Sequence, residues 1–303
     1  MKMEGRHNGT LLDSKNGYRI IDCKECGFVH VQPVPAPDEL DRIYKEEYYT
    51  KEKPLFIERQ IEDLPWWNLV YDERYDFFER NLSKSSRSLI DIGCGPGFFL
   101  KKGKDRGWDV YGIEPSLKAS EHAKGLGINV INSFLFDSPF DGRKFHAAHM
   151  SEVLEHVADP ISLCRKTYEL LEPGGIFCVS VPNDYNPLQK LLRAEMGYEP
   201  YWLAPPHHIN YFNHDSLKGL LRRCGFEIIG EAAMFPMEFF LLMGDNYVGD
   251  DAMGRLCHSK RKRLDIALSG PGLSDFRNEF NELLAAHGMG REIIMFGKKE
   301  ISE

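Results

Sequence analysis

The stretch LIDIGCGPGFFL, residues 89–100, constrains this chain more than any other. An apolar run stops at three glycines placed two apart, Gly93, Gly95 and Gly97, and a second apolar run begins at once. A buried strand that turns through glycines directly into a helix is the opening of a βαβ unit. The surrounding sequence repeats that alternation. SLIDIG, WDVYGIE, INVIN, FHAAHM and IFCVSVP read as short buried strands, with GFFLKKGKDRG, PSLKASEHAKGLG and PISLCRKTYELLEPGG as amphipathic helices between them. Gly107 closes the first helix and Ser116 stands where the second needs an N-cap. The expectation is an α/β core over residues 83–233 with a parallel sheet and right-handed crossovers. HDSLKGLLRRCGFEIIGEAA adds a helix capped by Asn213 and a strand, and GREIIMFGKK gives a last strand within 290–303.

Residues 1–35 read as irregular apart from CKEC and a strand-like FVHVQPVP, and 37–82 as helical in pieces, starting at Pro37 and Asp38. Together, 1–82 form an N-terminal segment ahead of the core. Residues 234–289 read as a helical insertion, and inserted segments of this kind carry substrate recognition, so a substrate lid is expected there. The net charge of −8 offers no broad basic face for nucleic acid. The local exception, HSKRKRLDIAL, reads as one solvated helix face. The N-terminus lacks the apolar centre of a signal peptide, and runs such as FFLLM are too short to span a membrane. Singly scattered cysteines at 94, 164, 178, 224 and 257 fit a reducing compartment, so a cytoplasmic location is expected.

A glycine turn beside a sheet edge suits two cofactors, a nicotinamide dinucleotide and S-adenosylmethionine (SAM). Glu114, ending the next strand, can accept both hydroxyls of an adenosine ribose in either case. Three features separate them. The dinucleotide fingerprint needs a last glycine where this chain has Phe98; Pro96 stiffens the loop; and Asp91 suits a ligand carrying ammonium and sulfonium charge better than a pyrophosphate. The reading is SAM.

LIDIGCGPGFFL, GWDVYGIEPS, FHAAHMSEVLEHVADP and LLEPGGIFCVSVPN, in that order, resemble the motifs of class I SAM-dependent methyltransferases. With CKECGFVHVQPVPAPDELDRIYKEEYY ahead and HHINYFNHDSLKGLLRRCGFEI behind, the chain is similar to a branch with many sugar and small-molecule methyltransferases. The resemblance implies a Rossmann-like, seven-stranded, mostly parallel sheet with helices on both faces. It implies that Asp91, Gly93, Gly95 and Gly97 surround the methionine part of SAM and that Glu114 holds the ribose. Ser133 and Phe134 would flank the adenine, and Met150 and Ser151 would line the sulfonium. Many relatives have an acid directly after the INVIN strand, and this chain has none there.

SEVLEHVADP places Glu152, Glu155 and His156 within one helical turn, where they could converge. The segment resembles the E-x-x-E-H of ubiquinone-pathway O-methyltransferases, which can hold an optional divalent metal; the favoured reading is that Glu155 and His156 orient the loop by hydrogen bonds. Transfer from a sulfonium needs a placed nucleophile and a proton acceptor. In APPHHINYFNHDSL, His208 is the first candidate base and His207 the second, with Tyr211 a candidate contact and His214 structural. Cys23 and Cys26 have knuckle spacing, and His7 and His30 can complete a Cys2His2 zinc set; a reduced pair without metal is the competing reading.

The function expected is methyl transfer from SAM to an oxygen, before nitrogen or carbon, of a sugar, nucleotide sugar or other small metabolite. Neither nucleic acid nor membrane is an expected partner. Two rival readings are an NAD-dependent oxidoreductase and a zinc-bearing nucleic-acid-binding protein on a degenerate methyltransferase fold.

Overall fold

The computed structural model describes residues 7–140 and 142–301, so part of the N-terminal stretch read for a signal segment lies outside the described residues. The chain opens with three strands, β1 (Gly9–Lys15), β2 (Tyr18–Cys23) and β3 (Phe28–Gln32). This corrects the expectation that residues 1–35 are irregular with one strand. β1 and β2 are joined at Asn16-Gly17, whose φ values of 52° and 83° are those a two-residue hairpin turn demands. Next come α1 (Pro37–Arg42), a π-helical stretch over Ile43–Glu52, α2 (Phe56–Glu62) and α3 (Leu64–Asn81).

The core then alternates through β4 (Ser88–Ile92), α4 (Phe98–Asp105), β5 (Asp109–Ile113), α5 (Leu117–Gly125), β6 (Asn129–Ile131), β7 (Phe145–Ser151), α6 (Pro160–Leu170) and β8 (Leu171–Pro182). The LEPGG read as helix belongs instead to β8. Leu171 pairs with Phe145 across the sheet, and that pairing outweighs the local helical pattern. The chain continues with α7 (Pro187–Met196), β9 (Asn210–Tyr211), α8 (His214–Arg223), β10 (Phe226–Ala233), α9 (Glu238–Leu242), α10 (Asp251–Leu268), α11 (Ser274–Ala286) and β11 (Glu292–Lys299).

The large sheet has seven strands in the order β10-β11-β8-β7-β4-β5-β6, parallel except for β11, which runs antiparallel to both neighbours. The reversal between β4→β5→β6 on one side and β7→β8 on the other leaves a crevice at the carboxyl ends of β4 and β7, where ligands of open α/β sheets bind. A second sheet, β1-β2-β3-β9, joins the N-terminal hairpin to a strand from the far side of the core. β9 pairs with β3 through Val29–Tyr211 and His30–Asn210. No helix among the described residues is long and apolar enough to cross a membrane.

The 234–289 segment is helical, as expected, and much of it braces α3. Trp66 Nε1 donates to Asp265 Oδ2 at 2.9 Å, Asp63 pairs with His258 and Lys262, and Arg277 pairs with Glu73 and Asp265. Gly97 caps α4 at φ 86°, and a Cβ there would stand 2.6 Å from the Cβ of Ala123 on α5. Gly97→Ala therefore combines backbone strain with a helix–helix clash. We expect a loss of roughly 2–4 kcal/mol of stability by urea unfolding. Gly107, at φ 85° with open space around its Cβ position, should lose only about 1 kcal/mol on the same change. Equal losses at the two positions would remove the packing argument.

Candidate active site

β4 delivers the glycine turn to the crevice. The N–H groups of Gly93 and Cys94 both donate to the Ile113 carbonyl, at 2.8 and 3.0 Å, so the turn is tied to the end of β5. Glu114 follows directly. Its Oε2 accepts the Gly95 N–H and its Oε1 the Ser116 N–H, each at 2.8 Å. One lone pair of each oxygen remains, facing a cavity of about 650 Å³ that Glu114 lines with Asp91, Gly93 and Gly95. Burial pushes the Glu114 carboxyl up to about 7. Gly97 does not line this cavity; it serves the α4–α5 contact instead.

Asp91 is buried and held by a chain of groups that sequence reading missed. His149 on β7 donates from Nδ1 to Asp91 Oδ1 at 2.7 Å, and Arg74 on α3 donates to His149 Nε2 at 2.8 Å. Burial lowers the His149 pKa, keeping the imidazole neutral with its tautomer set by these two bonds. The signal was available in the strand register, because Asp91 and His149 are cross-strand partners. Arg74 is 2% exposed and lines the cavity, yet its Nε and Nη2 have no partner. Asp91 and Arg74, joined through His149, both line the cavity with a carboxylate and a guanidinium, a fit for the ammonium and carboxylate of an amino acid.

Ser133 and Phe134 line the cavity as expected, and so does Asp137, an acid farther along the same loop than the position inspected in the sequence. Ser151 lines it too. Met150 does not: fully buried, it packs into the core on the other face of β7. The roof comes from the N-terminal segment, through Tyr44, Tyr48, Tyr49, Lys53, Phe56 and Trp67. Lys118 Nζ donates to the carbonyls of Tyr49 and Pro54, both at 3.1 Å, pinning the π-helical stretch over the glycine turn. None of the residues that line this cavity comes from 234–289, so the roof here is not the lid expected of that segment.

The E-x-x-E-H segment does not form the helical turn expected of it. Leu154–His156 is a short 3₁₀ turn, and Glu152 lies outside it at φ 57°, a left-handed conformation that is rare away from glycine. Glu155, His156 and His208 come together instead, with one ligand-type atom of each within 4.8 Å of the others. His156 Nδ1 donates to the His207 carbonyl at 2.8 Å, the orienting role anticipated for it. Glu152 is exposed to the cavity that it lines, and the desolvating surroundings together with Glu292 push its carboxyl up to about 8.

His208 lines the cavity and its Nδ1 has no partner. Burial, then His156, Arg291 and Lys53, push its pKa down to about 2, so the environment resists the charge that a general base must acquire. His207 lies outside the lining and faces Glu52 at 3.3 Å. Tyr211 is no acceptor contact either: its hydroxyl donates to the His208 carbonyl at 2.8 Å and fixes the loop. His214 is structural, bonded to Glu231 at 2.6 Å.

The four residues picked out for zinc stand together: the ligand atoms of His7, Cys23, Cys26 and His30 all lie within 4.8 Å of one another. His7 Nδ1 is 3.6 Å from Cys23 Sγ and 3.4 Å from Cys26 Sγ. Tetrahedral zinc, with bonds of about 2.3 Å to sulfur and 2.0 Å to nitrogen, puts S and N about 3.5 Å apart. His30 Nδ1 donates to the Val31 carbonyl at 2.8 Å, leaving Nε2 buried and without a partner. That is how a metal-ligating histidine is held by a second bond. The donor set fits zinc.

Comparison with known proteins agrees with this geometry. The profile of a family described as "Methyltransferase domain" matches residues 67–231. A ubiquinone biosynthesis O-methyltransferase of Cereibacter sphaeroides is 31% identical over 171 residues, covering 52% of this chain and 68% of that one. A second, from Ruegeria pomeroyi, is 33% identical over 149 residues, covering 46% and 59%. Among solved structures, the plantazolicin methyltransferase BpumL with S-adenosylhomocysteine (SAH) and a monoazolic desmethylPZN analogue shares 15% identity at TM-score 0.53, covering 87% of this chain and 97% of its own. A SAM-dependent methyltransferase from Archaeoglobus fulgidus gives 18% and 0.50, covering 76% and 93%. These two bear on the fold alone. The chain belongs to the methyltransferase domain family and is a SAM-dependent methyltransferase of class I fold.

Proposed function

We propose that the protein moves the SAM methyl group to a hydroxyl oxygen of a small hydroxylated acceptor, a sugar or nucleotide sugar before other metabolites, and that a structural zinc holds one wall of the acceptor site. The observation that carries this reading is the cavity itself. Glu114 and the glycine turn form one end, Ser151, Glu152 and His208 the other, and a tyrosine-rich roof covers both.

In this reading Glu114 accepts the two ribose hydroxyls, Asp91 and Arg74 hold the ammonium and carboxylate, and Ser133, Phe134 and Asp137 receive the adenine. Bound SAM supplies an electrophilic methyl group on a good leaving group. The protein has to place the acceptor oxygen in line and take its proton. Glu152, with its raised pKa, is better matched to that proton than His208, because a base is most effective when its pKa lies near the working pH. His208 Nδ1 then orients the hydroxyl, and Lys53 and the tyrosines exclude water. The ubiquinone enzymes are O-methyltransferases by name, which favours oxygen as the methylated atom.

The test is transfer of labelled methyl from SAM to a panel of nucleotide sugars and free hydroxylated metabolites. With whichever acceptor turns over, Glu152→Gln should cut kcat about 100-fold or more while SAH affinity stays within threefold. His208→Ala should cost less in kcat and more in KM. Wild-type turnover by Glu152→Gln would remove the carboxylate from the reaction.

A further inference from the structure

Resting on the reading of methyl transfer to a hydroxylated acceptor, we propose that a second subsite adjoining Glu152 and centred on Arg291 holds the body of that acceptor, and that it selects a neutral, hydroxyl-rich ring.

Arg291 stands at the foot of β11 with its backbone fixed on both sides. Its N–H donates to the Met234 carbonyl at 3.0 Å, and its carbonyl accepts the Asn183 N–H at 3.1 Å. The guanidinium is half-buried, and among the described residues it makes no side-chain hydrogen bond and no ion pair. Yet Glu238, Asp184, Glu152 and Glu292 all lie within electrostatic reach of it. A half-buried guanidinium and carboxylates free to approach one another would pair, since opposite charges attract strongly where water is scarce. The scaffold prevents that here.

The restraint is visible at Glu238 on α9. Its Oε1 accepts from Asn186 at 3.4 Å and from Gln189 on α7 at 3.2 Å, while its Oε2, on a side chain 1% exposed, has no partner. Asp184, just past β8 and 2% exposed, likewise leaves Oδ2 unpartnered. The side-chain carbonyls of Asn183 and Gln189 and Trp202 Nε1 are unsatisfied as well. Each such group costs stability if it stays empty. Native proteins leave few, and a concentration of them marks a place where something else binds.

The chemistry of the missing partner follows from that mixture. Unpartnered acceptors and donors stand together, so the ligand must both donate and accept hydrogen bonds. A carboxylate or phosphate would face Asp184, Glu238, Glu152 and Glu292 together. A polyol meets both demands: its hydroxyls donate to the carboxylates and accept from the guanidinium. Tyr201, with Trp202 at 5.3 Å and Tyr247 at 6.2 Å between ring centres, offers the apolar surface that the C–H face of such a ring covers. Glu152, Glu292 and His208 line the cofactor cavity and also lie within reach of Arg291, so a ring seated there can extend a hydroxyl towards the transferred methyl. Glu238 and Tyr247 belong to the 234–289 segment, which thus reads the acceptor from the side without roofing the cofactor.

The experiment uses protein saturated with SAH and three probe sets, methyl glycosides of neutral hexoses, the matching uronates and the matching amino sugars, followed by saturation-transfer NMR and calorimetry. Neutral glycosides should bind best. Glu238→Gln and Asp184→Asn should each weaken them at least tenfold, and Tyr247→Phe by a smaller factor, with SAH affinity within twofold in all three. Uronates binding as tightly as neutral glycosides, unchanged glycoside affinity in Glu238→Gln, or no glycoside binding by the SAH-loaded wild type would each overturn the subsite. Failure of the wild type to bind SAH would sink the transfer reading along with the subsite, so the two failures are told apart.

Discussion

Glu114→Ala should lose SAH affinity by a factor of at least one hundred, measured by calorimetry, with the fold retained. Two hydrogen bonds from ribose hydroxyls to a carboxylate are worth about 1.5–3 kcal/mol each. The substitution also strips the acceptor from the Gly95 and Ser116 N–H groups that shape the turn. Glu114→Gln separates the effects, because an amide oxygen keeps one of those bonds without the charge; it should fall between wild type and alanine. The pH dependence carries the same claim. In the free protein the carboxyl is pushed up to about 7 by burial, and ribose hydroxyls donate to its ionised form. Affinity should therefore be full above pH 7 and fall about tenfold per pH unit below it. The sign for stability is opposite. The folded pKa exceeds the unfolded value of 4.5, so this group alone lowers the stability of the ligand-free protein as pH rises from about 4.5 through 7. Affinity independent of pH between 5.5 and 8 would remove Glu114 from the binding reaction.

The second large effect concerns zinc. Purified protein should carry about one zinc per chain, and Cys26→Ser or a strong chelator should remove it. The damage should spread beyond the knuckle, because the bonds run on from it. His30 on β3 pairs with Asn210 on β9, and Val31 N–H donates to the Ile209 carbonyl at 2.9 Å. Asn210 Nδ2 in turn donates to the carbonyls of Leu154 and Val157 at 2.8 and 2.7 Å, and Ile209 N–H to that of Glu155 at 2.8 Å. A metal held there would set the wall that carries His208 and Glu155, while the glycine turn hangs on β4 and β5. Metal loss should cut turnover tenfold or more and change SAH affinity by less than threefold. Metal-free protein with normal turnover would return the four side chains to a plain buried cluster.

Much of the cavity's lining was legible in the sequence because backbone demands it. Glycines at positive φ and an acid ending the next strand leave a pattern along the chain, and Asp91, Glu114, Ser133, Phe134 and Ser151 line the cavity where the motifs put them. The Cys2His2 cluster was legible in part: the C-x-x-C spacing is local, whereas His7 joins it through the pairing of β1 with β2 and His30 through that of β2 with β3. The N-terminal hairpin was legible and overlooked, since Asn16-Gly17 between apolar runs is a strong two-residue turn signal. Other features had no local trace. Arg74, Tyr49 and Lys53 reach the cavity because helices far along the chain fold over the crevice. Periodicity reports which face of a helix is buried but not what it covers. The same limit hid Arg291, Asp184 and Glu238, which come within electrostatic reach of one another from just before β11, just past β8 and α9.

The central claim is that the glycine turn and Glu114 form a SAM site. Calorimetry of the purified wild-type protein with SAH and, separately, with NAD tests it most directly. The account predicts one SAH bound per chain, with proton release near pH 6.5 as Glu114 ionises, and no measurable heat with NAD. Binding of NAD without SAH would contradict it, and would make the turn a dinucleotide site in spite of Phe98.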